Sequence, residues 1–337
     1  MLYQIKKGMN LIKNFILIIL FASCNSPSGS SYKPKSSGNI NTITVVIENA
    51  LWNSNVGEKI RKSFASEFIG LPQQEPIFTL KQIPLETFSG FTRESRNILL
   101  VLKTKKDTLL LEKNKYAYPQ VLVSFLGSNN KVLIEQIDKN KERVILEIKK
   151  NEITEKQKRI KISSLNKTNL KSLLSIDLRM PSAYEIYKKG KEKIIWIQRD
   201  TDKGTVNVLA YELKKRDFSG NEHKQKIIKI RDSVGKLFLP GRNKDSHMIT
   251  EEAYEPYVKK VKVKGFQAIE TRGTWEVKND FMAGPFINYM INDTINNRTI
   301  VLEGFVFSPS SKKRDYIFEL EAIFRSLKIF KKSKRKD

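Results

Sequence analysis

The chemically capable residues of this chain are few and scattered. One Cys and two His among 337 residues exclude a disulfide framework. They also exclude a zinc centre of clustered Cys and His, which needs three or four such ligands. His223 falls at a polar helix start and His247 in a loop, positions that suit solvated surface residues better than ligands. Ser164–Lys167 and Ser310–Lys313 have the Ser-x-x-Lys spacing that sets a hydroxyl and an amine one helical turn apart. Neither Lys-Thr-Gly nor Ser-Asp-Asn accompanies them, and such pairs recur by chance in a chain rich in Ser and Lys. The phosphate-loop, dinucleotide, nucleophile-elbow and H-E-x-x-H patterns are absent. No cofactor and no metal are expected.

The densest unusual chemistry is Arg272-Gly-Thr-Trp275-Glu276, followed by Met282-Ala-Gly284-Pro285-Phe286. A charged and aromatic hairpin built from it would offer Trp275 for stacking a ligand and Arg272 for holding an acid. The competing assignment is structural: Trp275 fills the core, Arg272 pairs with Glu270 or Glu303, and Gly284-Pro285 shapes the start of a strand. Both stay open, and the candidate binding surface is Arg272, Trp275, Glu276, Met282, Gly284 and Pro285. Arg231 is added to it, although adjacent charges such as Arg231-Asp232 point apart on a helix and more often form separate surface ion pairs.

These residues need elements to position them. Thr42–Glu48 is β-branched and predicts a strand, and Asn53 or Ser54 caps a helix through Phe68 that ends at Gly70-Leu-Pro72. Short strands are predicted at Ile77–Ile83, Asn97–Lys103, Thr108–Leu111 and Gln120–Phe125. Between Ser128 and Ser163, apolar spacings of three and four predict two helices or one bent one. Polar Asn166–Asn169 marks the domain boundary. The second half predicts strands at Ser175–Met180, Ile194–Gln198 and Thr205–Leu213, then an amphipathic helix from Asn221 to Leu239. Strands follow at Phe266–Thr271, Thr274–Lys278, Phe286–Ile291 and Thr299–Phe307, and a final helix from Lys313 to Leu327. The fold class is α+β: two sandwich-like domains of mainly antiparallel sheets with helices packed on them.

Lys and Arg number 62 against 36 Asp and Glu, a formal charge of +26. The N-terminus supplies the context for that excess. Lys6, Lys7 and Lys13 precede the apolar run Phe15–Ala22, which is too short to span a bilayer and fits a secretory signal. Phe21-Ala22-Ser23-Cys24 resembles the lipobox of bacterial lipoproteins. That resemblance implies cleavage before Cys24 and lipidation of its thiol with acyl chains such as palmitate. Asn25–Ser31 carries no acid, whereas surface-exported lipoproteins resemble one another in acidic residues there, so the expected location is the periplasmic face of the outer membrane.

The expected organisation is a signal peptide at 1–23, a tether at 24–41, an N-terminal domain at 42–165, a C-terminal domain at 170–330 and a basic tail at 331–337. Export argues against nucleic acid. The expected partners are the membrane through the anchor, anionic lipid and another envelope protein, with oligomeric state open.

Several segments together resemble an uncharacterised lipoprotein family of Bacteroidota: Arg231-Asp-Ser, Glu270-Thr-Arg-Gly-Thr-Trp-Glu-Val277, Met282-Ala-Gly-Pro-Phe286, Glu303-Gly-Phe-Val-Phe307 and Leu320-Glu-Ala-Ile323. The order of elements in the second half also resembles the Mog1/PsbP sandwich in topology. Neither resemblance implies a reaction. The expected function is a membrane-anchored, non-enzymatic binding or assembly factor, and the alternative is an enzyme acting on an envelope polymer or lipid.

Overall fold

The structure, a computed structural model, describes residues 33–164, 169–190, 193–215 and 223–332. Cys24, the apolar run before it and residues 333–337 lie outside the described residues. Among the described residues the fold is α+β, with two large sheets that carry helices and a small two-stranded one near the C-terminus.

The first sheet uses β1 (Thr42–Ile47), β2 (Thr79–Ile83), β3 (Asn97–Lys103), β4 (Thr108–Lys113) and β5 (Val121–Gly127) in the order β2-β1-β3-β5-β4. Pairing over the whole chain is mostly antiparallel, but here β2, β1, β3 and β5 run parallel and β4 alone is antiparallel. The near-continuous apolar runs of β1, β3 and β5 suit strands covered on both faces. Between β1 and β2 lie α1 (Asn49–Trp52) and α2 (Asn55–Phe64), and the Ser54 hydroxyl caps α2 by accepting from Val56 N at 3.2 Å.

The stretch predicted as two helices or a bent one is a single helix, α3 (Asn130–Ile162), started by the Asn129 side chain accepting from Val132 N. Its 33 residues, at 1.5 Å per residue, extend about 50 Å. Leu133, Ile137, Val144 and Ile148 pack on the first sheet, whereas Ile160 belongs to the core of the second unit. One helix thus serves two cores.

The second unit opens with α4 (Leu170–Leu174), β6 (Ile176–Asp177) and β7 (Glu185–Lys189). It continues through β8 (Ile194–Thr201), β9 (Gly204–Lys214), α5 (His223–Phe238), β10 (Met248–Thr250) and β11 (Tyr257–Val263). The chain closes with β12 (Phe266–Val277), β13 (Ala283–Asp293), β14 (Arg298–Phe307), α6 (Arg314–Phe324) and β15 (Lys328–Ile329). Eight strands form one sheet in the order β10-β12-β13-β14-β9-β8-β7, with β11 also paired to β12. Helix α5 covers one face and α6 the other.

The two strands expected at 266–271 and 274–278 are one. Arg272, Gly273 and Thr274 stay in register with Ile287, Phe286 and Pro285, so β12 runs unbroken through the predicted hairpin turn. Gly273 is tolerated there because the Phe286 ring lies where a side chain would go. The strand β11 was not predicted. Its sequence alternates Val with Lys, and the exposed Lys259, Lys260 and Lys262 protect an edge from further pairing.

The two units are firmly joined through α6. Glu75, from the first, accepts from Lys313 N at 2.6 Å and Arg314 N at 3.2 Å, a carboxylate at a helix N-terminus. Gln157 on α3 donates to Ala322 O at 2.9 Å.

Part of the expected tether is also packed. Arg96 donates to Gly38 O and Asn39 O, and Glu152 accepts from Asn41 N at 2.6 Å. The polar backbone of residues 38–41 serves a buried Arg96–Glu152 pair.

Candidate functional site

A cleft of about 620 Å³ opens on the α5 face of the large sheet, at the end where β8 turns into β9. That volume lies within the range of about 300–1,000 Å³ common for small-molecule sites. Its floor is aromatic. Phe305 lies 5.9 Å, centroid to centroid, from both Trp196 and Trp275, and Phe307 lies 6.4 Å from Trp275. Strand alternation on β14 sends both Phe residues to this face.

One wall is polar and comes from β8 and β9. Asn207 accepts from Trp196 Nε1 at 2.9 Å and donates to Thr205, which fixes the indole plane. Gln198 donates to the Asp200 carboxylate at 2.9 Å. The opposite rim is the loop after α5, clamped where Met248 N donates to Leu239 O and Gly241 N to Ser246 O. A Cβ on Gly241 would stand 2.2 Å from Ser246 Oγ, so the tight loop requires glycine. Among the described residues, Asp200 and Arg242 are the only ionisable groups in the lining. This arrangement can stack a flat or branched apolar body and hydrogen-bond its edge.

The predicted surface residues divide between the two sheet faces. Arg272 and Trp275 are three positions apart on one continuous strand, and the two-residue period sends them to opposite faces. Trp275, 2% exposed, joins Met282 in lining the cleft. Its Nε1 is buried without a hydrogen-bond partner among the described residues. Gly284 pairs with Trp275, and a Cβ there would stand 2.0 Å from Val306 O, so glycine lets β14 approach. Pro285 sits opposite Thr274, and Glu276 falls on the Arg272 side by alternation.

Arg272 is not a surface residue. It donates to Glu270 at 2.8 Å and to Glu321 on α6 at 2.6 Å, and its guanidinium lies 5.3 Å from the Phe68 ring. Burial raises a carboxyl pKa, but Arg272, Lys149 and Arg325 together hold Glu321 below the usual carboxylate range. Arg231 is likewise buried. It forks onto Glu303 at 2.7 and 3.1 Å over the Phe286 ring, while Asp232 accepts from Thr250 N. The sequence reading of separate surface ion pairs fails because Arg231 faces the large sheet, between Glu303 on β14 and Phe286 on β13.

The cleft itself was missed, because its lining comes from strands far apart in sequence. The alternating Trp196, Gln198 and Asp200 beside the Asp202-Lys-Gly turn were the available signal. Of the Ser-x-x-Lys pairs, Lys313 points its ammonium at Ser311 O, and Lys167 lies outside the described residues.

Comparison with known proteins gives families without activities. Residues 36–161 match the model of one domain of unknown function (DUF8532), and residues 163–326 match that of another (DUF4837). The chain thus carries two domains of unknown function. The cleft and both buried arginines fall within the DUF4837 segment, and the two matches meet at the end of α3. No curated protein matches the chain. A solved structure similar to part of it is LpqN of Mycobacterium tuberculosis, titled as involved in cell envelope biogenesis. The identity is 14%, over 46% of this chain and 82% of that one, with a TM-score of 0.28.

Proposed function

We propose that this protein is a lipid-anchored, non-enzymatic binding factor of the bacterial cell envelope, of the Bacteroidota lipoprotein type. Acylated Cys24 holds it to the periplasmic face of the outer membrane, and the cleft rimmed by the loop after α5 receives a small ligand. The anchoring half is supported by Phe21-Ala-Ser-Cys24 and by the absence of a second Cys. Among the described residues, no helix is long and apolar enough to cross a membrane.

The observation that carries the binding half is the lining of the cleft. Two Trp and two Phe form the floor, and Gln198, Asp200 and Thr205 stand on one wall. A ligand with an apolar body and a hydrogen-bonding edge fits that division.

Native mass spectrometry of the full chain, extracted from its own membranes in mild detergent, tests this. The wild type is expected to carry a small bound molecule. Thr205→Trp, which fills the cleft from a strand position tolerant of aromatic residues, is expected to lose it. Equal occupancy in both, or none in the wild type, would overturn the assignment.

A further inference from the structure

Lys33, nine positions after Cys24 in the sequence, is the first described residue, and its surroundings form an unusual surface. Residues 34–37 are fastened between two loops: Tyr118 N donates to Pro34 O, Ser36 N to Tyr118 O and Ser37 N to Glu94 O. On those loops Phe91 is 72% and Tyr118 57% exposed. An apolar ring held that far into water gains nothing from folding.

Basic side chains stand at Tyr118 and at the neighbouring half-buried Tyr116. Lys158 Nζ lies 5.8 Å from the Tyr118 ring, Arg93 5.3 Å and Lys115 5.6 Å from the Tyr116 ring, and Lys33 donates to Asn114 O. Lys33, Lys35, Arg93, Lys115 and Lys158 are all exposed. Against them stand Glu94, half-buried, and Glu112, paired with Lys115 at 3.0 Å. Exposed aromatics interleaved with lysine and arginine match a bilayer interface, where rings enter the headgroup layer and cations meet anionic lipid.

Chain length adds an independent constraint. Nine residue steps separate Cys24 from Lys33, so at full extension Lys33 lies within about 30 Å of the anchor. The first unit therefore cannot carry this end far from the membrane.

We infer that the surface around Lys33, Phe91 and Tyr118 seats on an anionic bilayer, which orients the anchored protein. The inference rests on the proposal that Cys24 is acylated.

A single introduced thiol tests both separately, because Cys24 is the only native Cys and acylation blocks it. The full lipidated chain carrying Phe91→Cys, Tyr118→Cys or, on α5, Leu237→Cys is labelled with nitrobenzoxadiazole. It is then reconstituted in vesicles of phosphatidylethanolamine with either phosphatidylglycerol or phosphatidylcholine. With phosphatidylglycerol, dyes at 91 and 118 are expected to shift to the blue and be quenched by nitroxide lipid, while the dye at 237 stays solvent-like. Lys35→Glu, Arg93→Glu and Lys158→Glu together should abolish the shift.

Solvent-like emission at 91 and 118, with one dye per chain, would overturn the seating while leaving the anchor intact. Equal shifts in both vesicle types would overturn the anionic assignment, as would persistence of the shift after charge reversal. Two dyes per chain would reveal a free Cys24 thiol, and the anchor and the seating would fall together.

Discussion

The Arg272 guanidinium lies 2.6 Å from the Glu321 carboxylate, tying the middle of β12 to α6 in the interior. Both groups are buried, and Arg325 completes the carboxylate's partners at 2.9 Å. Breaking such a pair from one side leaves an uncompensated buried charge, at a cost of about 3–5 kcal/mol. Glu321→Gln leaves Glu270 beside Arg272 at 2.8 Å but removes the 2.9 Å partner of Arg325, so it should lower unfolding free energy toward the lower end of that range in a urea titration. Replacing both partners with apolar residues should recover part of the loss. A single-mutant cost below about 1 kcal/mol would mean that the pair is solvated.

Acid should find a second weak point at Glu212. Burial raises its pKa, but hydrogen bonds from Lys332, Lys193 and Arg298 bring it down from 4.5 to about 2. A carboxyl lowered in the folded state contributes stability that is complete above its unfolded value and is lost as pH falls through the folded one. That loss belongs between pH 4.5 and about 2. Glu270, Glu319 and Glu321 are lowered too and act in the same direction. Urea midpoints should thus fall across this window in the wild type and fall less in Glu212→Gln. Parallel curves for the two proteins would contradict the assignment.

Trp275 serves the core and the cleft together, so two substitutions should separate its roles. Trp275→Ala removes a nearly fully buried ring and should cost about 3–5 kcal/mol. Trp275→Phe keeps an aromatic floor and removes an Nε1–H that has no partner among the described residues. It should cost clearly less and preserve occupancy of the cleft in native mass spectrometry. Equal destabilisation by both variants would show that the indole shape, not its apolar volume, is what the site requires.

Local pattern made much of the fold legible. Asn97–Lys103 matches its predicted bounds, and Ile317, Leu320, Ile323 and Phe324 lie on the buried side of α6 as their spacing indicates. Long-range pairing was not legible. Arg231 meets Glu303 at a separation of 72 residues and Arg272 meets Glu321 at 49, so neither charge betrayed its burial. Arg272 and Trp275 looked like one surface because the break expected at Gly273 would have reset the two-residue alternation. The unbroken strand sends them apart. Trp275, Met282 and Gly284 do lie together, since Gly284 pairs with Trp275 and Met282 lines the same cleft. The β8 and β9 residues across from them lay too far away in sequence to be joined to the group.

The anchor proposed at Cys24 makes a prediction of position as well as chemistry. Each buried methylene contributes about 0.8 kcal/mol, so two or more acyl chains on Cys24 would hold durably where one would not. Mass spectrometry of the mature N-terminus should find a lipid-modified Cys24, and Cys24→Ser should leave the membrane fraction. Asn25–Ser31 contains no acidic residue, unlike the segment after Cys in lipoproteins sent to the surface, so the anchored chain should face the periplasm. Protease added to intact cells should spare it and should digest it once the outer membrane is permeabilised. Digestion at the same rate in both conditions would place the protein outside the cell, and its ligand and partners would then have to be sought there.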